Sequence, residues 1–274
     1  MNRRRFLSGV GAAAAVGVAG CLGNGDGDGG PARPFPDAEW RAESGLDVAV
    51  LAERHAEALV DAGGATLFST AATSHDGDAE PTPWLPSQEY EAAYDLENGR
   101  QHVRQELTKT EGADVSELYV TADLALIRRQ SGDETRYARR AVDRSDGDFA
   151  SAMRAEVVTG IRVEGQTADG ETAYEGLNLW NPTSDGAGEV RGEPTARFTA
   201  DAFEGERNVP ETVDTASATV HVYESGVVPR LEQSWAGAHD GQSASVDVDI
   251  DYRDLGATVP EPDWAETARE ETGD

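Results

Sequence analysis

The stretch that decides the fold is QEYEAAYDLENGRQHVRQEL, residues 88–107. Tyr90, Ala92, Tyr94 and Leu96 alternate with Glu89, Glu91 and Asp95, the period of two that a half-buried β-strand requires. Asn98-Gly99 follows, the strongest short hairpin signal in a sequence, because both central positions of a type I′ turn need positive φ. A two-residue turn there pairs Glu97 with Arg100, Asp95 with His102, Tyr94 with Val103 and Tyr90 with Leu107. Apolar side chains then meet on one face and charges on the other.

The same period continues to the C-terminal side. Leu118-Tyr119-Val120, Leu124–Gln130 and Thr135–Ala141 read as strands, with turns at 121–123 and 131–133. Further strands are expected at Ile161–Gly165, Thr172–Trp180, Ala196–Ala202, Ala216–Glu224 and Val227–Ser234, with a polar loop over 181–194. At Ser225-Gly226 a two-residue turn would set Pro229 at a hydrogen-bonding position opposite Val222. Proline has no N–H to give, so a longer loop or a bulge is required. The closing strand is SVDVDIDYRD, residues 245–254: Val246, Val248, Ile250 and Tyr252 share one face, and Asp247, Asp249 and Asp251 the other. Those aspartates sit about 6.5–7 Å apart along a strand, too far to converge on one cation, so they read as a solvated outer face.

Two helices interrupt the strands. Residues 44–63 carry Val48, Leu51, Ala52, His55, Leu59 and Ala62 on one face, with a capping start at Ser44 and Asp47 and a stop at Gly63-Gly64. His55 in that stripe reads as a half-buried packing residue. A second helix over 149–159 places Phe149, Met153 and Val157 together. Helices with one apolar face need a sheet to cover. The fold class is therefore α+β, mainly β: a curved antiparallel sheet with helices packed on one side.

The N-terminus has a different character. Arg3, Arg4, Arg5, Phe6 and Leu7 fit the twin-arginine form of an export signal, and a Gly- and Ala-rich apolar stretch follows. That stretch is too short and too weakly apolar to span a membrane. Val18-Ala19-Gly20-Cys21 resembles a lipobox. Cys21 is the sole cysteine of 274 residues, which rules out an intrachain disulfide and points to lipid attachment. The expected organisation is a twin-arginine lipoprotein signal peptide at 1–20, a flexible Gly/Asp/Pro tether at 21–43, a domain at 44–264 and an acidic tail at 265–274. A lipid on Cys21 would hold the exported chain at the outer face of the cell membrane.

Composition agrees with an exterior location in strong salt. The net charge is −29, and Lys109 is the sole lysine. Removing the leader's three positive charges from that total leaves −32. Such self-repulsion strains a compact state unless molar salt shortens the Debye length to about 3 Å. No basic face follows the leader, so nucleic acid is not an expected partner. The five histidines are scattered, and no metal, cofactor or catalytic motif is present; an enzyme is not expected.

HAEALVDAGGATL at 55–67, LYVTADLALIRRQSGDETRYARRA at 118–141, VHVYESGVVPRLEQSW at 220–235 and DIDYRDLGATVPEPDW at 249–264 together resemble haloarchaeal lipoproteins whose domain is of the LolA, LppX and LprG type. That resemblance implies a strongly curved half-barrel with helices closing the concave side over an apolar cavity, and no catalytic residues. Tyr90, Tyr94, Phe149, Met153, Val157, Val246, Val248 and Ile250 are the expected cavity lining. Two functions stay open: an anchored carrier of a lipid or other apolar ligand, and a surface interaction or structural lipoprotein with the same fold and a filled core.

Overall fold

The computed structural model describes residues 33–75, 87–108, 113–161, 176–205 and 210–273. The expected export signal, Cys21 and the first part of the expected tether lie outside the described residues. Eleven strands among them form one antiparallel sheet: β1 (Gly64–His75), β2 (Gln88–Asp95), β3 (Arg100–Thr108), β4 (Ala113–Val120), β5 (Leu124–Ser131), β6 (Glu134–Ala141), β7 (Thr183–Val190), β8 (Glu193–Ala200), β9 (Thr212–Val222), β10 (Arg230–His239) and β11 (Gln242–Arg253). The spatial order is β6-β5-β4-β3-β2-β1-β11-β10-β9-β8-β7. The chain meanders from β1 out to one edge, restarts at the other edge and returns, so that its first and last strands pair at the centre. β6 and β7 do not meet, and the sheet is not closed into a barrel.

Alternation assigns the two faces. Ala65 and Leu67 of β1, Ala92 and Tyr94 of β2, Ile250 and Tyr252 of β11, Leu231 of β10, Val220 and Val222 of β9 and Phe198 of β8 all join one core cluster. A flat sheet would set β2 and β8 about 24 Å apart, at roughly 4.8 Å per strand. Helices α1 (Val48–Asp61) and α2 (Asp146–Ile161) pack on each other and fill this concave face. The opposite face carries Asp247, Asp249 and Asp251, as their alternation with the buried valines requires.

Helix α1 starts at an Asp47 cap, whose side chain accepts from the Val50 amide at 3.1 Å, rather than at Ser44. It ends ahead of Gly63 and Gly64. Gly64 has φ +134°, and a Cβ there would lie 2.0 Å from the Tyr94 carbonyl oxygen, so glycine alone admits the β1–β2 contact. Helix α2 is longer than 149–159 and takes in Ile161, so the strand expected from that residue does not start there; its remainder lies outside the described residues. The described end of the strand expected at 172–180 is instead a 3-10 turn, Leu177–Leu179, that lodges Trp180 in the core.

Four other expectations change. The β2–β3 loop holds four residues rather than two: Asp95 faces Arg100, Tyr94 faces Gln101, Ala92 faces Val103 and Tyr90 faces Gln105. The Asp95 carboxylate accepts from the Asn98 amide at 2.9 Å, so the turn closes two residues earlier on β2, while β3 still starts at Arg100. The slip is even, and every side chain keeps its face. The loop expected at 181–194 contains edge strand β7. Its pairing with β8 needs Gly188, where a Cβ would sit 2.8 Å from the His221 ring. The tether is not free up to residue 43. Trp40 is buried, edge-on to Phe198 at 6.0 Å, with its Nε1 donating to the Glu224 carbonyl at 3.3 Å. The acidic tail is likewise structured: Ala265–Thr272 forms helix α3, which buries Ala265 and Ala268 together with Trp264. These pack on Tyr119 and Leu126, which lie on the convex face, so α3 covers the side opposite to α1 and α2. The β9–β10 connection runs from 223 to 229 and keeps Pro229 out of the ladder, as its missing N–H demands.

Candidate functional site

The structure distributes the eight sequence-derived lining residues over three adjoining clusters on the concave face. Tyr90, Tyr94, Met153, Val157, Val248 and Ile250 meet in the main core with Leu51, Ala52 and Leu59 of α1. Phe149 packs on Val120 and Ala125. Val246 lies at the far end with Trp180 and Trp235. Phe149 and Met153 are fully buried: the space directly beneath α2 is occupied by the helix's own side chains.

A polar centre sits within this apolar layer. Glu156 of α2 accepts hydrogen bonds from the Tyr90 and Tyr94 hydroxyls, one on each carboxylate oxygen. The Gln101 amide donates to the Tyr94 hydroxyl at 2.9 Å. Burial pushes the Glu156 carboxyl above its ordinary range, and the Tyr90 bond partly offsets that. Sequence reasoning found the tyrosines but not their acceptor. The available signal was a lone carboxylate beside the Met153–Val157 stripe, facing a strand that brings two phenols inward.

His55 is fully buried rather than half-buried. Its Nδ1 accepts from the Val228 amide at 3.2 Å, its ring stands edge-on to Tyr252 at 4.3 Å, and Nε2 has no hydrogen-bond partner among the described residues. Burial lowers its pKa to about 3, so the ring is a neutral packing residue.

Open space lies beside α2. Ala92, Val103, Leu118, Ile127 and Ala138 are cross-strand neighbours from β2 to β6 on the concave face. Val103, Leu118 and Ile127 are only half-buried. One step further along the strands runs a polar row of Gln105, Ser116, Arg129 and Arg136. A cavity of about 440 Å³ opens over it, with Leu107 and Asp114 also in its wall. A second cavity, of about 610 Å³, lies at the opposite end of the molecule among Phe35, Arg191, Tyr223, Val227 and Leu255.

Two further clusters of polar side chains lie outside these two cavities. Glu211 and Asp240 lie 3.7 and 3.8 Å from Nδ1 and Nε2 of His239; the three residues bring one ligand atom each within 4.8 Å of one another, the two carboxylates being exposed. Glu117, buried on the convex face, pairs with Arg128 at 2.7 Å and lies 3.5 Å from the His102 ring. No helix among the described residues is long and apolar enough to cross a membrane.

A family-wide sequence pattern matches residues 7–268, nearly the whole chain. The chain belongs to the family described as a family of unknown function, DUF7537. No protein of curated function matches it. Among solved structures, the chain is similar to a LolA superfamily protein from Nitrosomonas europaea at 12% identity, covering 78% of this chain and 96% of that one, with a TM-score of 0.22. It is also similar to an outer-membrane lipoprotein-sorting protein domain from Vibrio parahaemolyticus at 8% identity, covering 81% and 97%, with a TM-score of 0.27. The MucA/MucB complex of Pseudomonas aeruginosa matches at 14% identity, 79% and 59% coverage and a TM-score of 0.30. At such identities and scores the likenesses carry nothing about function.

Proposed function

We propose that this chain is an exported lipoprotein, anchored to the outer face of the cell membrane through a lipid on Cys21, that holds an apolar ligand on the concave face of its sheet. It binds and does not catalyse. The observation that supports the ligand is the half-buried row of Val103, Leu118 and Ile127, which emerges from beside α2 next to the 440 Å³ cavity. Ligand sites of small molecules usually occupy about 300–1,000 Å³. On this reading the ligand lies beside α2 rather than beneath it, because Phe149, Met153 and Val157 fill the space below. The support for the anchor is the order Arg3-Arg4-Arg5-Phe6-Leu7, apolar stretch, Val18-Ala19-Gly20-Cys21.

Native mass spectrometry of the full chain purified from its own cells tests the ligand. A retained apolar molecule, lost in Ile127→Glu, is the expected result; a bare chain overturns it. Cys21→Ser should move the cleaved protein out of the detergent phase, and unchanged partitioning would refute the anchor. The second reading, a surface interaction lipoprotein without ligand, is favoured by the filled layer under both helices, and a bare chain in the spectrum would select it.

A further inference from the structure

The β5–β6 hairpin reverses the sign of the molecule. Residues 124–141 contain Arg128, Arg129, Arg136, Arg139 and Arg140 against Asp133 and Glu134 alone, in a chain of net charge −29. On the convex face, Arg128 pairs with Glu117 at 2.7 Å and Arg139 donates to the Gly273 carbonyl at 2.8 Å. The concave face keeps Arg129, Arg136 and Arg140. Arg129 and Arg136 are direct cross-strand neighbours, an arrangement that destabilises a sheet when both side chains carry the same charge. Both line the 440 Å³ cavity. Arg136 shares the Glu134 carboxylate at 2.8 Å, whereas Arg129 has no ion pair or hydrogen bond with any described residue. The two carboxylates in the cavity wall, Asp114 and Glu134, stand in the next cross-strand row, and both are already engaged.

A guanidinium pair in a cavity of a strongly acidic protein calls for an anion of the right shape. Two planar forks match the several oxygens of a phosphate or sulfate. On the other side of the arginine row, one two-residue step of about 6.5–7 Å away, runs the half-buried row of Val103, Leu118 and Ile127. The concave face thus presents a basic row and an apolar row side by side. We infer that this strip binds an anionic amphiphile, with a phosphate or sulfate head between Arg129 and Arg136 and its chain along Val103, Leu118 and Ile127 toward Phe149. The inference deepens the proposed function by naming the ligand class, and it rests on that reading for the apolar chain. Hydrogen bonds at such short range survive the molar salt that screens the outer surface.

The test is isothermal titration of the full chain, made without lipidation, in molar sodium chloride. The probes are dodecyl phosphate, dodecyl maltoside and inorganic phosphate, the two amphiphiles held below their micelle-forming concentrations. Dodecyl phosphate should bind at least tenfold tighter than dodecyl maltoside and tighter than inorganic phosphate. The R129Q/R136Q double variant should lose that preference while its maltoside affinity stays. Its thermal midpoint without ligand should equal or exceed that of the parent, since the like-charge pair is gone. Equal affinity for the two amphiphiles overturns the inference and leaves the proposed function standing. Inorganic phosphate binding as tightly as dodecyl phosphate overturns the amphiphile in favour of a free-anion site. Binding of neither amphiphile overturns the inference and the carrier reading together.

Discussion

His55 makes the stability of this domain depend on pH in a direction and size that follow from its surroundings. The folded state holds the imidazole neutral at a pKa of about 3 because the ring is fully buried. The unfolded chain restores a pKa of about 6.5. Between these values the unfolded state binds the extra proton, so stability rises with pH: the contribution is complete above 6.5 and is lost as pH falls toward 3. Between pH 7.5 and pH 5 the loss is about 2 kcal/mol, from 1.36 kcal/mol per unit over the one and a half units below 6.5. His102 and His221 are also lowered by burial and add to the slope with the same sign, while Glu156, raised by burial, acts in the opposite sense as pH rises above the ordinary carboxyl range. Urea unfolding in molar salt, followed by tryptophan fluorescence at pH 7.5 and 5, measures the total. His55→Asn keeps an acceptor for the Val228 amide and removes the titration. It should lower stability at both pH values and shrink the difference by about 2 kcal/mol. An unchanged difference in His55→Asn would refute the assignment of a neutral, buried ring.

Three further outcomes are expected. Ala92→Leu adds three heavy atoms at a fully buried position between Leu67 and Val103 and should cost about 1–3 kcal/mol by overpacking, measured by the same urea titration. Trp264→Ala removes the side chain that docks α3 against Tyr137, whose ring it stacks on at 6.4 Å, and should cost about 3 kcal/mol, with faster amide exchange confined to β5, β6 and α3. Lowering the salt should unfold the domain as the outer-face carboxylates of β11 and their neighbours lose screening; full circular dichroism retained in dilute buffer would contradict this.

What the sequence made legible was whatever depended on one element and its own period. The closing strand, with Val246, Val248, Ile250 and Tyr252 inward, has the alternation that a one-sided sheet imposes, and the stripe of α1 reads equally well. The hairpin at 88–107 kept its faces but not its register, because Asn98-Gly99 specifies a turn while the Asp95 side chain decides where that turn closes. β7 was hidden by Gly186, which stands at a register shift with φ +102°, and by Gly188, whose reason is the His221 ring on another strand. α3 was hidden by its Glu, Thr and Arg content. Its signal was the spacing of Trp264 and Ala268, one turn apart, in a segment that is otherwise charged. The candidate site shows the same limit. Tyr90 and Tyr94 were visible as inward residues, but their acceptor lies more than sixty positions away on α2. The arginine row exists as a row only once β5 and β6 are in register.

The docking of residues 33–43 changes what a lipid on Cys21 would do to the domain. With a tether running to residue 43, twenty-two steps of chain would separate anchor and fold, a reach of about 75 Å at most. The structure cuts this roughly in half. Arg33 already donates to the Ala42 and Glu43 carbonyls at 2.9 and 2.8 Å. Phe35 packs edge-to-face with Trp40 at 6.5 Å, and the Gly45–Thr183 bridge ties the segment to edge strand β7. From Cys21 to Arg33 is twelve steps, about 42 Å fully extended. A lipid on Cys21 would therefore be joined to the domain by at most about 42 Å of chain, at a segment tied to edge strand β7, whereas β3–β6 lie seven to ten strand positions away across the sheet.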